Sequence, residues 1–216
     1  EGPRYMKKRI LSLALSAAMA LTMLPTGAFA AGDKGKPPVY NKATGCYEIS
    51  TPDQLLYLSG SWKDGTPRDG HYVLTADIDM TGVKGFKPIA SKKEQGFIGT
   101  FDGQFHAIKG LRVEYEKKYA GLFGYVGNQD DQAYIKDVAL LDCYVTGQQN
   151  VGALAGVNYG TITGCVVTGE VKCLDLSNSH TAGGICGKLK EGEGPIVGHV
   201  EDCYINADVS APYDAG

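Results

Sequence analysis

The sequence predicts an all-β solenoid opened by one short capping helix. Three observations carry this: abundant glycine between short β-type runs, a glycine-flanked apolar tag that returns three times, and a single helix signature early in the folding part. The 30 glycines among 216 residues are about twice the usual share of roughly 7%. They do not recur at every third position, which excludes collagen. Interleaved with β-formers, they indicate many short strands joined by tight turns.

The amino end carries an export signal. Lys7, Lys8 and Arg9 form a positive segment, Ile10 to Leu24 is apolar and uncharged, and Ala28-Phe29-Ala30 offers small residues for cleavage after Ala30. The apolar run falls short of the roughly 20 residues that span a bilayer. Residues 1–30 are therefore expected to be a signal peptide, with Met6 the expected start. Residues 31–45 read as a polar, Pro-containing flexible leader. Residues 46–216 are expected to fold as one unit, secreted and displayed at the cell surface, with no membrane segment after signal cleavage. The chain ends just after a repeat strand, so a further expectation is that it forms the amino part of a larger surface protein.

The helix is expected over 52–59. Thr51 is an N-cap, Pro52 suits the first helical position, and Gln54 completes a capping box. Leu55, Leu56 and Leu58 supply its apolar side, and Gly60 stops it. It would cover the first β-layer and protect an open strand edge. After it the pattern turns to β: Tyr72–Thr75, Ala76–Met80, Phe97–Phe101 and Phe105–Val113, with Asp102-Gly103 marking a turn.

The second half repeats. The tags are Ala120-Gly-Leu-Phe-Gly124, Val151-Gly-Ala-Leu-Ala-Gly156 and Ala182-Gly-Gly-Ile-Cys-Gly187. Each is followed by a variable loop and a second strand, giving repeats near 120–147, 151–171 and 182–209. A spacing of roughly 20–50 residues is that of stacked architectures. A repeat this short cannot bury its own apolar face, whereas copies stacked at roughly 4.8 Å per layer bury a shared core. Like residues should then lie over like. Cys143, Cys165 and Cys203, each followed by two strand formers, are expected to line up.

The tags resemble the GLUG motif of bacterial surface proteins, found also in regions before the protease domain of some IgA-cleaving metallopeptidases. The segments Ser50–Leu55, Tyr72–Met80 and Phe97–Leu111 resemble those that precede a GLUG array. The resemblance spans roughly residues 45 to 209. It implies a right-handed parallel β-helix with a stalk-like or adhesin-like role, and it carries no catalytic residue that transfers here. The third tag, with Gly184-Ile185-Cys186, departs most, and a polar insert from Lys188 to Gly194 follows it.

The chemistry motifs sought are absent. His71, His106, His180 and His199 belong to no H-E-x-x-H, and there is no nucleophile elbow or P-loop. With 21 basic and 24 acidic residues, a net charge of −3 and no basic patch, nucleic acid is not an expected partner. The six cysteines match no zinc spacing and read as buried thiols or stacked cysteines rather than a full disulfide set. No catalytic residue, cofactor or metal is expected. Asp102 with His106 reads as a brace at a turn, with an acid–base pair as the alternative. Asp130-Asp131 reads as a solvated loop rather than a cation site. Asp137, Asp142 and Asp202 lie on the repeat strands, and Asp137 and Asp202 are expected to stack at a corner. They keep open the alternative of a carbohydrate-active β-helix enzyme, which needs paired carboxylates. Tyr125, Tyr144, Tyr159 and Tyr204 are candidates for an unknown glycan or protein partner, or for packing against the solenoid. The leading expectation is a non-catalytic module, adhesin-like or a spacer.

Overall fold

The computed structural model describes residues 35–60, 62, 65–175, 181–190 and 197–212. The expected signal peptide, the first part of the leader, His180 and most of the insert after the third tag lie outside the described residues. In chain order the strands begin with β1 (Val39–Asn41), β2 (Cys46–Ile49), β3 (His71–Leu74), β4 (Ile78–Asp79), β5 (Thr100–Asp102) and β6 (Ala107–Lys109). They continue with β7 (Arg112–Ala120), β8 (Phe123–Val126), β9 (Tyr134–Lys136), β10 (Ala139–Gly152), β11 (Ala155–Asn158) and β12 (Thr161–Thr163). The last are β13 (Val166–Cys173), β14 (Ala182–Gly183), β15 (Cys186–Leu189), β16 (His199–Glu201) and β17 (Tyr204–Ser210). One helix, α1 (Pro52–Leu58), lies between β2 and β3.

The protein is mostly β, and its sheets are parallel except at one edge. The first sheet runs β1-β2-β3-β5-β9-β12-β16, the second β4-β6-β10-β13-β17 with β7 and β14 also on β10, and the third β8-β11-β15. From β5 onward the chain visits first, second and third sheet in turn, so each strand pairs with its counterpart one circuit away. The exception is the antiparallel pair β1–β2, where Tyr40 faces Tyr47. The sheet thus starts at Val39, inside the stretch expected to be leader. Asn41 Nδ2 donates to Glu48 Oε1 at 2.7 Å across this hairpin.

Register brings like over like. Tyr47, Tyr72, Phe101, Ile135, Ile162 and Val200 form one row of the first sheet. Ile78, Ile108, Leu140, Val167 and Ile205 form one row of the second, and Val113, Val145, Val171 and Val209 another. Apart from Tyr47, Val200, Ile205 and Val209, the members of these rows are buried in a single core. Its early part is aromatic: Phe123 lies 5.1 Å from Phe97 and 5.4 Å from Phe101 between ring centroids. Such ring pairs add roughly 0.5–1.5 kcal/mol beyond their burial.

The helix forms as its sequence dictates. Thr51 Oγ1 accepts from the Gln54 amide at 3.3 Å, and Gln54 Oε1 accepts in return from the Ser50 and Thr51 amides at 2.7 and 3.1 Å. Leu55, Leu56 and Leu58 are buried in the common core.

The three tags coincide in register, opening in the second sheet with Ala120, Val151 and Ala182 and closing in the third with Phe123, Ala155 and Cys186. Sequence reasoning missed a further member of this row: Ile89 bridges to Phe123, its amide donates to Leu122 O, and the Gly124 amide donates to Ile89 O. The packing also explains the tags' closing glycines. A side chain on Gly124 would strike the backbone of Ala90 and Ser91, on Gly156 that of Tyr119, and on Gly187 that of Asn150. Ala90, Tyr119 and Asn150 all have positive φ, at 55°, 69° and 49°. Each closing glycine is therefore the gap through which a left-handed corner of the preceding circuit passes.

Candidate functional site

The acidic candidates sit at corners. Asp137, Gly164 and Asp202 follow the register set Lys136–Thr163–Glu201 and share positive φ, at 54°, 64° and 52°. This is the stacking expected of Asp137 and Asp202, with glycine between them. Asp, like Asn and Gly, tolerates this conformation because its short polar side chain satisfies local backbone. Asp142 stands at a different corner, after Leu141, which pairs with Lys109; the next residue there, Gly110, also has positive φ. The Asp142 amide donates to Thr168 Oγ1 at 2.9 Å. Asp137 and Asp142 therefore occupy two separate bends.

The expected Asp102–His106 contact does not form. His106 Nδ1 lies 3.0 Å from Asp77 Oδ1, which also accepts from the Ala107 amide at 2.9 Å. Asp102 accepts instead from the Gln104 amide at 2.9 Å and pairs with Lys136 Nζ at 2.8 Å. Positive φ at Gln104 and Phe105 turns the chain so that His106 faces the preceding circuit. A partner one circuit away has no local sequence signature. The Asp137 carboxyl is pushed above the usual carboxylate range by burial and then by Asp102, with Lys136 opposing. The Lys136 ammonium is raised by its bond to Asp102.

The Asp130-Asp131 loop is held from within. Asn128 Oδ1 accepts from both Asp amides, at 2.7 and 2.8 Å, and its Nδ2 donates to Asp131 Oδ2 at 3.0 Å. Among the described residues no group of three His, Cys, Asp or Glu side chains is placed to hold a metal ion.

The tyrosines separate into two groups. Tyr125 and Tyr159 are buried beside Val157 and Tyr119, and burial followed by the Tyr119 hydroxyl raises the Tyr125 phenol well above its ordinary value. Tyr144 lies on the outer side of the second sheet, in a row with Arg112, Glu170 and Asp208. The Arg112 guanidinium sits 4.1 Å from the Tyr144 ring centroid and Lys172 Nζ 5.7 Å from it. Arg112 pairs with Glu114 at 2.9 Å, and Lys172 pairs with Glu170. Tyr204 is exposed at the last strand. Arg112, Tyr144, Glu170 and Asp208 thus form a strip across four strands with one ring among three charged side chains, and Tyr204 lies in another row, beside Val166. Such a face can stack on a sugar ring or accept a polar protein surface.

All six cysteines are thiols. Cys165 and Cys203 occupy equivalent positions, as expected. Cys143 does not join them: a register shift between Leu140 and Cys143 places it opposite Gly169. Val138 takes the position under Cys165, its carbonyl accepting from the Val166 amide as that of Cys165 accepts from Tyr204.

No protein-family model matches the chain. It is 32% identical over 151 residues to "Halomucin" of Haloquadratum walsbyi, covering 65% of this chain and 2% of that protein. It is 33% identical over 101 residues to a "Putative Gly-rich membrane protein" of Evansella cellulosilytica, covering 43% of this chain and 11% of that one. Among solved structures, a "putative immunoglobulin A1 protease" from Bacteroides ovatus superposes with a TM-score of 0.58 at 23% identity, over 74% of this chain and 47% of that one. The likeness to the solved structure is one of fold. The chain spans a small part of both relatives and under half of that structure.

Proposed function

We propose that this chain is a non-catalytic, exported surface module whose three sheets wind as a right-handed parallel β-helix, with GLUG-type tags running from its second sheet into its third. Its role is that of an adhesin-like element or a spacer. The outer strip of the second sheet supports this most directly: Arg112, Tyr144, Glu170 and Asp208 lie in one row on a rigid face. The corner placement of Asp137, Asp142 and Asp202 supports a structural rather than a catalytic use of these carboxylates. The export signal is the support for location, joined by the likeness to a protein named as a membrane protein. No helix among the described residues is long and apolar enough to cross a membrane.

The test is binding of the purified chain to glycan and matrix-protein arrays. Adhesion predicts a ligand whose binding falls at least about tenfold, roughly 1.4 kcal/mol, in Tyr144→Ala. An array with no ligand removes adhesion and leaves the spacer. Polysaccharide turnover that disappears in Asp137→Asn or Asp142→Asn would overturn both in favour of an enzyme.

A further inference from the structure

We infer that Cys165 and Cys203 form a disulfide when the chain meets an oxidising thiol–disulfide couple, tying the last circuit to the one before it. The inference rests on the export proposed above for its setting, but its chemistry is testable apart from it. The register pairs Thr163–Glu201 and Val166–Tyr204 flank the two cysteines and hold them at equivalent points of adjacent bends, Cys165 between β12 and β13 and Cys203 between β16 and β17. The Tyr204 amide donates to Cys165 O at 2.9 Å. Neighbouring strands stand roughly 4.8 Å apart, within the roughly 4.4–6.8 Å between Cα atoms that a disulfide spans.

The side chains are oriented alike. Cys165 Sγ reaches Thr163 O at 3.3 Å, and Cys203 Sγ reaches the equivalent Glu201 O at 3.2 Å and Ile162 O at 3.8 Å. Each thiol perturbs the other: Cys203 raises the Cys165 thiol, and Cys165 lowers that of Cys203. By contrast, burial pushes Cys143 up to about 12 and Cys186 up to about 11. Cys203 is partly exposed and Cys165 buried. Cys203 is thus the thiol that meets an external oxidant, and Cys165 the one that resolves the adduct.

The step balances as an exchange. The Cys203 thiolate attacks a low-molecular-weight or protein disulfide and forms a mixed disulfide, expelling one thiolate. Cys165, losing its proton, attacks Cys203 Sγ and expels the second. Two electrons pass to the external disulfide, which leaves as two thiols. The bond would anchor the least covered part of the molecule, since Val200 and Ile205 of the last circuit are exposed.

The experiment treats the folded full chain with oxidised glutathione and maps its linkages after tryptic and chymotryptic digestion. Cleavage at Tyr159, Lys172, Lys188 and Lys190 separates Cys143, Cys165, Cys186 and Cys203. The expected result is one intramolecular Cys165–Cys203 link, formed equally in Cys186→Ser, with a rise in Tm of about 5–15 °C that dithiothreitol reverses. A Cys186–Cys203 link, a stable glutathione adduct on Cys203, or six thiols remaining after treatment would each overturn the inference. Mapping on the unmodified sequence keeps the test independent of whether any variant folds. A failure of export would leave this result unchanged, and a failure of the linkage would leave the surface reading unchanged.

Discussion

The two ends of the β-array treat the same kind of residue in opposite ways. At the amino end Ile49 and Leu74 are fully buried, and α1 adds Leu55, Leu56 and Leu58 to the same core. At the last circuit the rows continue in register, yet Val200 is 36% and Ile205 46% exposed. Register and side-chain chemistry are shared, so neither explains the difference. The difference lies in cover: Ile78 also has a single row neighbour, Ile108, yet is fully buried in the common core, whereas among the described residues no strand follows Val200 and Ile205 in their rows. Stability in such arrays is close to a sum of circuit and interface contributions.

The largest effect that sharpens this contrast is a matched truncation within one row. Ile108→Ala, at 0% exposure, should lower unfolding free energy by about 2–5 kcal/mol, and Ile205→Ala by under about 1 kcal/mol. Chemical denaturation of both variants checks this; equal losses would mean that the last circuit is as well covered as the interior. Next in size is Gly156→Ala. Its new Cβ would meet the Tyr119 backbone, which cannot move without opening the corner, and a loss of about 1–3 kcal/mol is expected. Ala at an exposed glycine with no neighbour, such as Gly45, adds strain from its positive φ without that collision. A loss at Gly156 no greater than at Gly45 would refute the account of the tags. At the covered end, Thr51→Ala removes the hydrogen bond that starts α1 and should cost about 1 kcal/mol, seen as a Tm lower by about 2–4 °C.

The elements legible in the sequence are those whose determinants lie within a few residues. The capping box of α1 is closed within Thr51–Gln54, and the tags carry their glycines with them. What was hidden depends on the neighbouring circuit. Ile89 occupies the tag row without tag glycines, because the corner that Gly124 must clear is the Ala90 bend itself. Cys143 matches Cys165 in local pattern, but the register shift after Leu140 removes it from the row. Nearness in sequence points His106 to Asp102, while the fold delivers Asp77 from the previous circuit. The tyrosines show the same division: no local signal separates buried Tyr125 and Tyr159 from exposed Tyr204.

The smallest effect concerns an interior corner, where a charge rather than an aliphatic side chain meets circuits on both sides. The Asp137 carboxyl is raised chiefly by burial, with Asp102 adding to it. In the unfolded chain it ionises near the ordinary aspartate value of roughly 3.9. Between that value and the raised folded one, the native state binds more protons than the unfolded state, so stability falls as pH rises through this window. Asp137→Asn keeps a residue suited to positive φ and removes the charge. The variant should match the parent below the ordinary aspartate range and exceed it at neutral pH. Because the group is only partly buried, solvent screens it and the gain should be under about 1 kcal/mol. Parallel urea titrations at acid and neutral pH read the difference directly. A variant less stable than the parent at neutral pH would mean that the carboxylate holds this corner through its charge, as Lys136 holds Asp102, and that interior corners tolerate ionisation better than their burial implies.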